Sequence, residues 1–206
     1  TGHVDLRRLV AIAGSEVKNP HYEEILVGQS INPVISGQYD ETSDVRVIMG
    51  NPLTGRPMEQ TADGGAIHHT RFLSAHTSEI TIIPEGDKAD ELAGWIMPRL
   101  NQFSVSRSYF SWLFGKKKAY RLDARIKGGE RHMIMSGEYD KVLPMDIYAE
   151  YLIKAIITGD IDKQEQLGIY EVSPEDFALA EFVDSSKLEL QRIVREGLDV
   201  LRKENE

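Results

Sequence analysis

Not one of the 206 residues is cysteine. That absence excludes disulfides, thiol nucleophiles and cysteine-held iron–sulfur clusters, and it fits a reducing compartment. No run approaches the roughly 20 apolar residues that a membrane-spanning helix requires. The opening Thr-Gly-His-Val-Asp-Leu-Arg-Arg lacks the layout of a signal peptide, so the chain is not expected to cross a bilayer itself. There is no dinucleotide fingerprint, no metal motif and no nucleophile constellation, which places a self-sufficient enzyme last among the readings. The chain begins at Thr1, close to a hydrophobic run at residues 9–13, and reads as a piece of something longer.

What is present is a soluble, globular composition. Hydrophobic residues make up 41%, enough for one medium domain or two to three small ones. The net charge of −9 is unevenly spread: residues 138–206 hold 17 acids and 8 bases, while residues 1–137 hold 16 of each. Between residues 107 and 131 the sign reverses, with eight bases against Asp123 and Glu130. A basic strip therefore adjoins an acidic tail, an arrangement that ordinarily reflects solvated faces. A pI near 5.2 argues against nucleic acid as a partner.

Pro and Gly spacing divides the chain. Residues 7–13 are apolar and β-prone until Gly14, and Val17-Lys18-Asn19-Pro20 turns the chain. Residues 46–50 form a second compact strand, closed by the turn Asn51-Pro52-Leu53-Thr54-Gly55. Residues 56–78 are polar, with Asp63-Gly64-Gly65 as a turn, and Ile80-Thr81-Ile82-Ile83 is a strand ended by Pro84. The tail changes period. Pro144 suits the first turn of a helix that Gly159 stops, and Asp160 caps a short helix ending at Gly168. Ser173-Pro174-Glu175-Asp176 is close to a capping box, and Ser186-Lys187-Leu188-Glu189 has the spacing of one that opens a last helix. The apolar stripe of that helix is Leu190, Ile193, Val194, Leu198 and Leu201. The expected fold class is α+β: a small mixed or β-rich domain at residues 1–55, a β-rich connector at 56–143 and a helical bundle at 144–206.

Three candidate sites read more simply as structure. His68, His69 and His76 invite a metal, but adjacent histidines on a strand point to opposite faces and no carboxylate shares a ligand-like spacing. Asp140, Asp146 and Glu150 offer paired carboxylates, with Asp146 and Glu150 one helical turn apart; the simpler reading is solvated acids at a helix end. Gly128-Gly129 lacks the remainder of a phosphate loop and reads as a turn between strands.

Several blocks carry a family resemblance. Val10-Ala11-Ile12-Ala13-Gly14 with Val17-Lys18-Asn19-Pro20, and Arg46-Val47-Ile48-Met49-Gly50 with Leu53-Thr54-Gly55, resemble the β-grasp module, of the soluble-ligand-binding type, in the A subunits of the sodium-translocating NADH:quinone oxidoreductases. The likeness continues through Gly94-Trp95-Ile96-Met97-Pro98, Phe103-Ser104-Val105-Ser106-Arg107, the signature at residues 128–147, Leu167-Gly168 and the stretch from Pro174 to Val183. The resemblance implies the C-terminal half of a peripheral subunit on the cytoplasmic face of the bacterial inner membrane. Its partners would be the other subunits of the complex, the membrane subunits above all. The whole complex would use NADH, flavins, iron–sulfur centres and quinone, while this piece binds no cofactor of its own. Related electron-transfer subunits carry iron–sulfur cysteines after the β-grasp module. Members of the family often hold cysteine where this chain has Ile169, Ala180 and Asp184. The implied role is assembly, with quinone-related ligand binding as a further expectation and no redox centre. The alternative is an independent β-grasp module that binds a ligand or partner.

One segment supports a sharper expectation. Ser108-Tyr109-Phe110-Ser111-Trp112-Leu113-Phe114-Gly115 runs directly into Lys116-Lys117-Lys118. Aromatic rings suit a wet apolar boundary, and lysines suit anionic headgroups or acidic loops. Tyr109, Phe110, Trp112, Lys116, Lys117 and Lys118 are therefore the candidate interface with membrane subunits or the adjoining bilayer. The plainer reading is a buried aromatic element turning into a solvated loop.

Overall fold

The computed structural model describes residues 2–58, 60–63, 66–69, 72–86, 102–105, 107, 109–114 and 118–206. Two compact units divide the chain, Thr1–Arg125 and Ile126–Glu206.

The first unit is built on a mixed five-stranded sheet. Strand β1 (Arg7–Ala13) buries Val10 and Ile12 on one face, as the period of two requires. It pairs antiparallel with β2 (His21–Leu26), Arg7 opposite Leu26 and Ile12 opposite His21. Strand β3 (Val45–Met49), the short β4 (Arg56–Pro57), β5 (Gln60–Asp63), β6 (Ala66–His69) and β7 (Glu79–Pro84) follow. The sheet order is β2-β1-β7-β3-β4, with β7 parallel to β1 and antiparallel to β3. A separate hairpin joins β5 to β6, pairing Asp63 with Ala66; Gly64 and Gly65 lie outside the described residues. One helical turn, α1 (Asn32–Ile35), holds Pro33 in its first turn and adds Val34 and Ile35 to the core. Ile12, Ile25, Val47, Ile80 and Ile82 fill that core from the sheet.

Gly14 ends β1 for a steric reason. Its φ is +123°, and a Cβ there would lie 2.0 Å from the Ile82 carbonyl oxygen. Only glycine lets the chain leave the sheet this close to β7. Asn51 closes the turn after β3 by accepting the N–H groups of Leu53 and Thr54 at 2.9 Å each.

The second unit is helical: α2 (Ala149–Thr158), α3 (Ile161–Gln166), α4 (Ala178–Val183) and α5 (Leu190–Glu204), with 3-10 turns between. Tyr139, Leu152, Ile153, Ile169, Phe177, Leu190, Val194 and Leu201 form its core. Gly159 stops α2 in the left-handed conformation, and the Asp160 carboxylate caps α3 through the Lys163 N–H at 3.1 Å. Gly197 on α5 meets Ile156 of α2, where a Cβ would come within 3.0 Å. The observed class is α+β.

Two sequence expectations for the helices are corrected. Helix α2 starts at Ala149 rather than in a turn around Pro144, because residues 139–141 form their own 3-10 turn and the chain then bends through 144 and 145. The box at Ser186 does not cap α5. Asp184 captures the N–H groups of Ser186 and Leu188, at 3.1 and 2.8 Å, and the Ser186 hydroxyl donates to the His132 carbonyl at 3.0 Å. The near-box at Ser173 does form, the Asp176 carboxylate accepting the Ser173 N–H at 2.7 Å, but on a 3-10 turn, Pro174–Phe177.

Candidate functional site

The aromatic segment is a 3-10 turn, Phe110–Phe114. One residue anchors this turn, and its neighbours face outward. Ser111 is that anchor, buried, while Phe110, Trp112, Leu113 and Phe114 are between 47% and 61% exposed. The expectation of a buried aromatic element does not hold for these four. Tyr109 is half-buried.

A second layer holds the turn in place. The Tyr120 hydroxyl donates to the Ser111 carbonyl at 3.3 Å, and its ring meets Phe103 edge-on at 5.4 Å. Lys118 Nζ lies 4.7 Å from the Phe114 ring and 5.4 Å from that of Tyr120. The Arg107 guanidinium sits 5.7 Å from the Trp112 ring, on a residue whose φ is +58°. Each cation over a ring contributes about 0.5–1 kcal/mol at an exposed site. The positive φ of Arg107 costs on the order of 1 kcal/mol, so placing that guanidinium is roughly balanced energetically. Lys116 and Lys117 lie outside the described residues.

The irregular stretch after Tyr120 ties this ledge to the sheet. Arg121 grips the Glu16 carboxylate with two bonds of 2.6 Å, the Ala124 N–H donates to the Pro84 carbonyl at 2.9 Å, and Arg125 reaches the Gly86 carbonyl at 3.3 Å. The Arg121 guanidinium holds the Glu16 carboxyl below its usual range, outweighing the opposing effect of partial burial. Arg46 and Glu85 make a further ion pair across β3 and the end of β7. In the sequence Arg107 and Arg121 read only as charge. Their roles depend on partners at Trp112 and Glu16, and no spacing rule reveals the latter.

The other candidates separate. His68 and His69 are on β6, and His76 is in an exposed turn. Among the described residues no cluster of three or more His, Asp or Glu side chains is placed to hold a metal. Asp140 and Asp146 are exposed, but Glu150 is buried, correcting its reading as a solvated acid. Glu150 Oε1 accepts the N–H groups of Ser136 and Gly137, at 3.0 and 2.6 Å. Tyr139 is buried beside it. Burial first, then the Asp184 and Glu150 charges, push its ionisation far up, and its hydroxyl faces Asp184 without closing a regular hydrogen bond. These groups splice the signature segment to the helices, with the Arg131 N–H donating to the Ser186 carbonyl at 2.8 Å as a further tie. Gly128 lies in a bend with φ +129°, but neither flank is a strand, so the expected turn between strands is corrected.

Among the described residues no helix is long and apolar enough to cross a membrane. A family model described as the NQRA C-terminal domain matches residues 9–60, which run from β1 into β5. Curated relatives named as the A subunit of Na(+)-translocating NADH-quinone reductase match 99% of the chain. That of Rhodopirellula baltica is 36% identical and 42% of its length is covered. Those of Vibrio atlanticus and Neisseria meningitidis serogroup B are 34% and 31% identical, each with 43% of its length covered. The chain thus spans less than half the length of the relatives it matches. The similarity runs through both structural units, and over nearly its whole length the chain is similar to the A subunits of the Na(+)-translocating NADH-quinone reductases.

Proposed function

We propose that this chain is the C-terminal half of the peripheral A subunit in a sodium-pumping NADH:quinone oxidoreductase, on the cytoplasmic face of the membrane. Its work there is assembly. The redox chemistry belongs to the complex, since a chain without cysteine offers no thiolate for an iron–sulfur centre. In this reading the five-stranded sheet with α1 is the β-grasp unit, and the helices from Ala149 onward form the bundle. The sheet unit is also the place for any quinone-related ligand surface.

The observation that carries the assembly reading is the ledge formed by residues 109–114 with Lys118 beside them. Four large apolar side chains stand exposed in one five-residue turn, held out by a buried serine and braced by Tyr120, Arg107 and Lys118. Exposed apolar groups clustered in this way mark interaction surfaces. The ledge is the membrane-side docking surface of the subunit. Replacing Lys116, Lys117 and Lys118 by Glu in the full-length subunit tests this. Recovery of the subunit with its membrane partners should fall severalfold, and unchanged co-purification would sink the docking reading.

A further inference from the structure

Resting on the reading of the ledge as a docking surface, we infer that what it docks on is the headgroup layer of an anionic phospholipid bilayer. The first support is charge. From Leu92 to Leu122 there is no Asp or Glu, yet this stretch holds six bases, seven of the sixteen aromatic residues and both tryptophans, in a chain of net charge −9. An acid-free basic stretch inside an acidic protein is drawn to a negative surface that repels the remainder of the chain, which orients the molecule as well as attracting it.

The second support is the geometry of the described residues. The apex is Phe110, Trp112, Leu113 and Phe114, all at least 47% exposed, and the one hydroxyl among them, on Ser111, is turned inward. Apart from the Trp112 indole N–H, the apex side chains have no polar group to strand in acyl chains. Tryptophan keeps that N–H at headgroup depth. Arg107 and Lys118 lie over the apex rings, so their stems follow apolar surface while their charges can reach phosphates, the arrangement by which long cations snorkel. The Tyr120 hydroxyl bond to the Ser111 carbonyl and the Arg121 grip on Glu16 fix the turn to the folded sheet. The ledge therefore inserts as a preformed wedge rather than folding on contact.

The test is sedimentation of the full-length subunit with vesicles of phosphatidylcholine alone or mixed with phosphatidylglycerol. Binding is expected to the mixed vesicles and to weaken with salt. Two double variants, Trp112→Ala with Phe114→Ala and Arg107→Gln with Lys118→Gln, should each weaken it by about tenfold or more, while Tyr22→Ala, exposed on β2, should leave it unchanged. Circular dichroism monitors the fold, and the Arg107/Lys118 pair decides the matter if the alanine pair unfolds. Wild-type protein that ignores both kinds of vesicle, or variants that bind as wild type does, overturns the lipid inference. If co-purification with the complex is nevertheless lost in those variants, the ledge still docks, on protein, and only the lipid assignment falls. If vesicle binding and co-purification are both indifferent to the substitutions, both readings fall.

Discussion

A glutamate in the first turn of a helix ordinarily faces water beside the positive end of the dipole. Glu150 is instead buried, because Ser136 and Gly137 present two backbone N–H groups to one of its oxygens. Glu150→Ala would strand those donors and should destabilise the second unit by about 2 kcal/mol; Glu150→Gln, which keeps an acceptor oxygen, should cost about half that. Urea unfolding followed by helical circular dichroism measures both, and equal losses would contradict the accepting role. Glu16 makes a pH-dependent contribution. Its folded pKa is depressed below the ordinary 4.5, chiefly by the Arg121 guanidinium. The pair thus stabilises above that value and is lost as pH falls through the folded pKa. The arginine is 67% exposed, so the contribution is below about 1 kcal/mol. Thermal melts between neutral and acid pH should show Arg121→Gln lowering stability at neutral pH and losing less on acidification than the wild type. Parallel curves would exclude the linkage.

Among the elements, β1 and β7 share the tightest constraint. Gly14→Ala would drive a methyl into the Ile82 backbone at a position of positive φ, and the sheet cannot yield without breaking the β1–β7 pairing. A loss above about 3 kcal/mol is expected. Gly159→Ala, also at positive φ but with open space around it, should cost about 1 kcal/mol. Denaturant midpoints of the two variants check the contrast, and similar losses would show that the close approach at Gly14 is not what matters. Strands β1, β3 and β7 were legible because their apolar residues sit between clear turn signals. That β7 inserts between β1 and β3 was not legible, since pairing across some thirty to seventy residues leaves no local mark. The stop at Gly159 and the cap at Asp160 were legible for the converse reason: their determinants lie within one turn. Ser186 misled because Asp184 competes for the same N–H groups, and only the fold shows which side chain reaches them.

For the whole molecule, composition alone separated a basic aromatic middle from an acidic tail, and the structure places the division into units at Arg125–Ile126. The aromatic segment was readable as a candidate interface, but sequence left its exposure open, because the same residues would equally make a core. The deciding fact is which residue of the turn is buried, and that is Ser111. Arg107, Phe103 and Tyr120 as supports could not be found from spacing, since their contacts with the turn are tertiary. If the ledge is the docking surface, it must be covered when the subunit is in place at the membrane. Hydroxyl-radical footprinting of Phe110, Trp112 and Phe114 in the membrane-bound complex, compared with the free full-length subunit, tests this most directly. Protection of these three, with Tyr22 of β2 as an exposed reference, is the predicted result; equal labelling in the two states would contradict it.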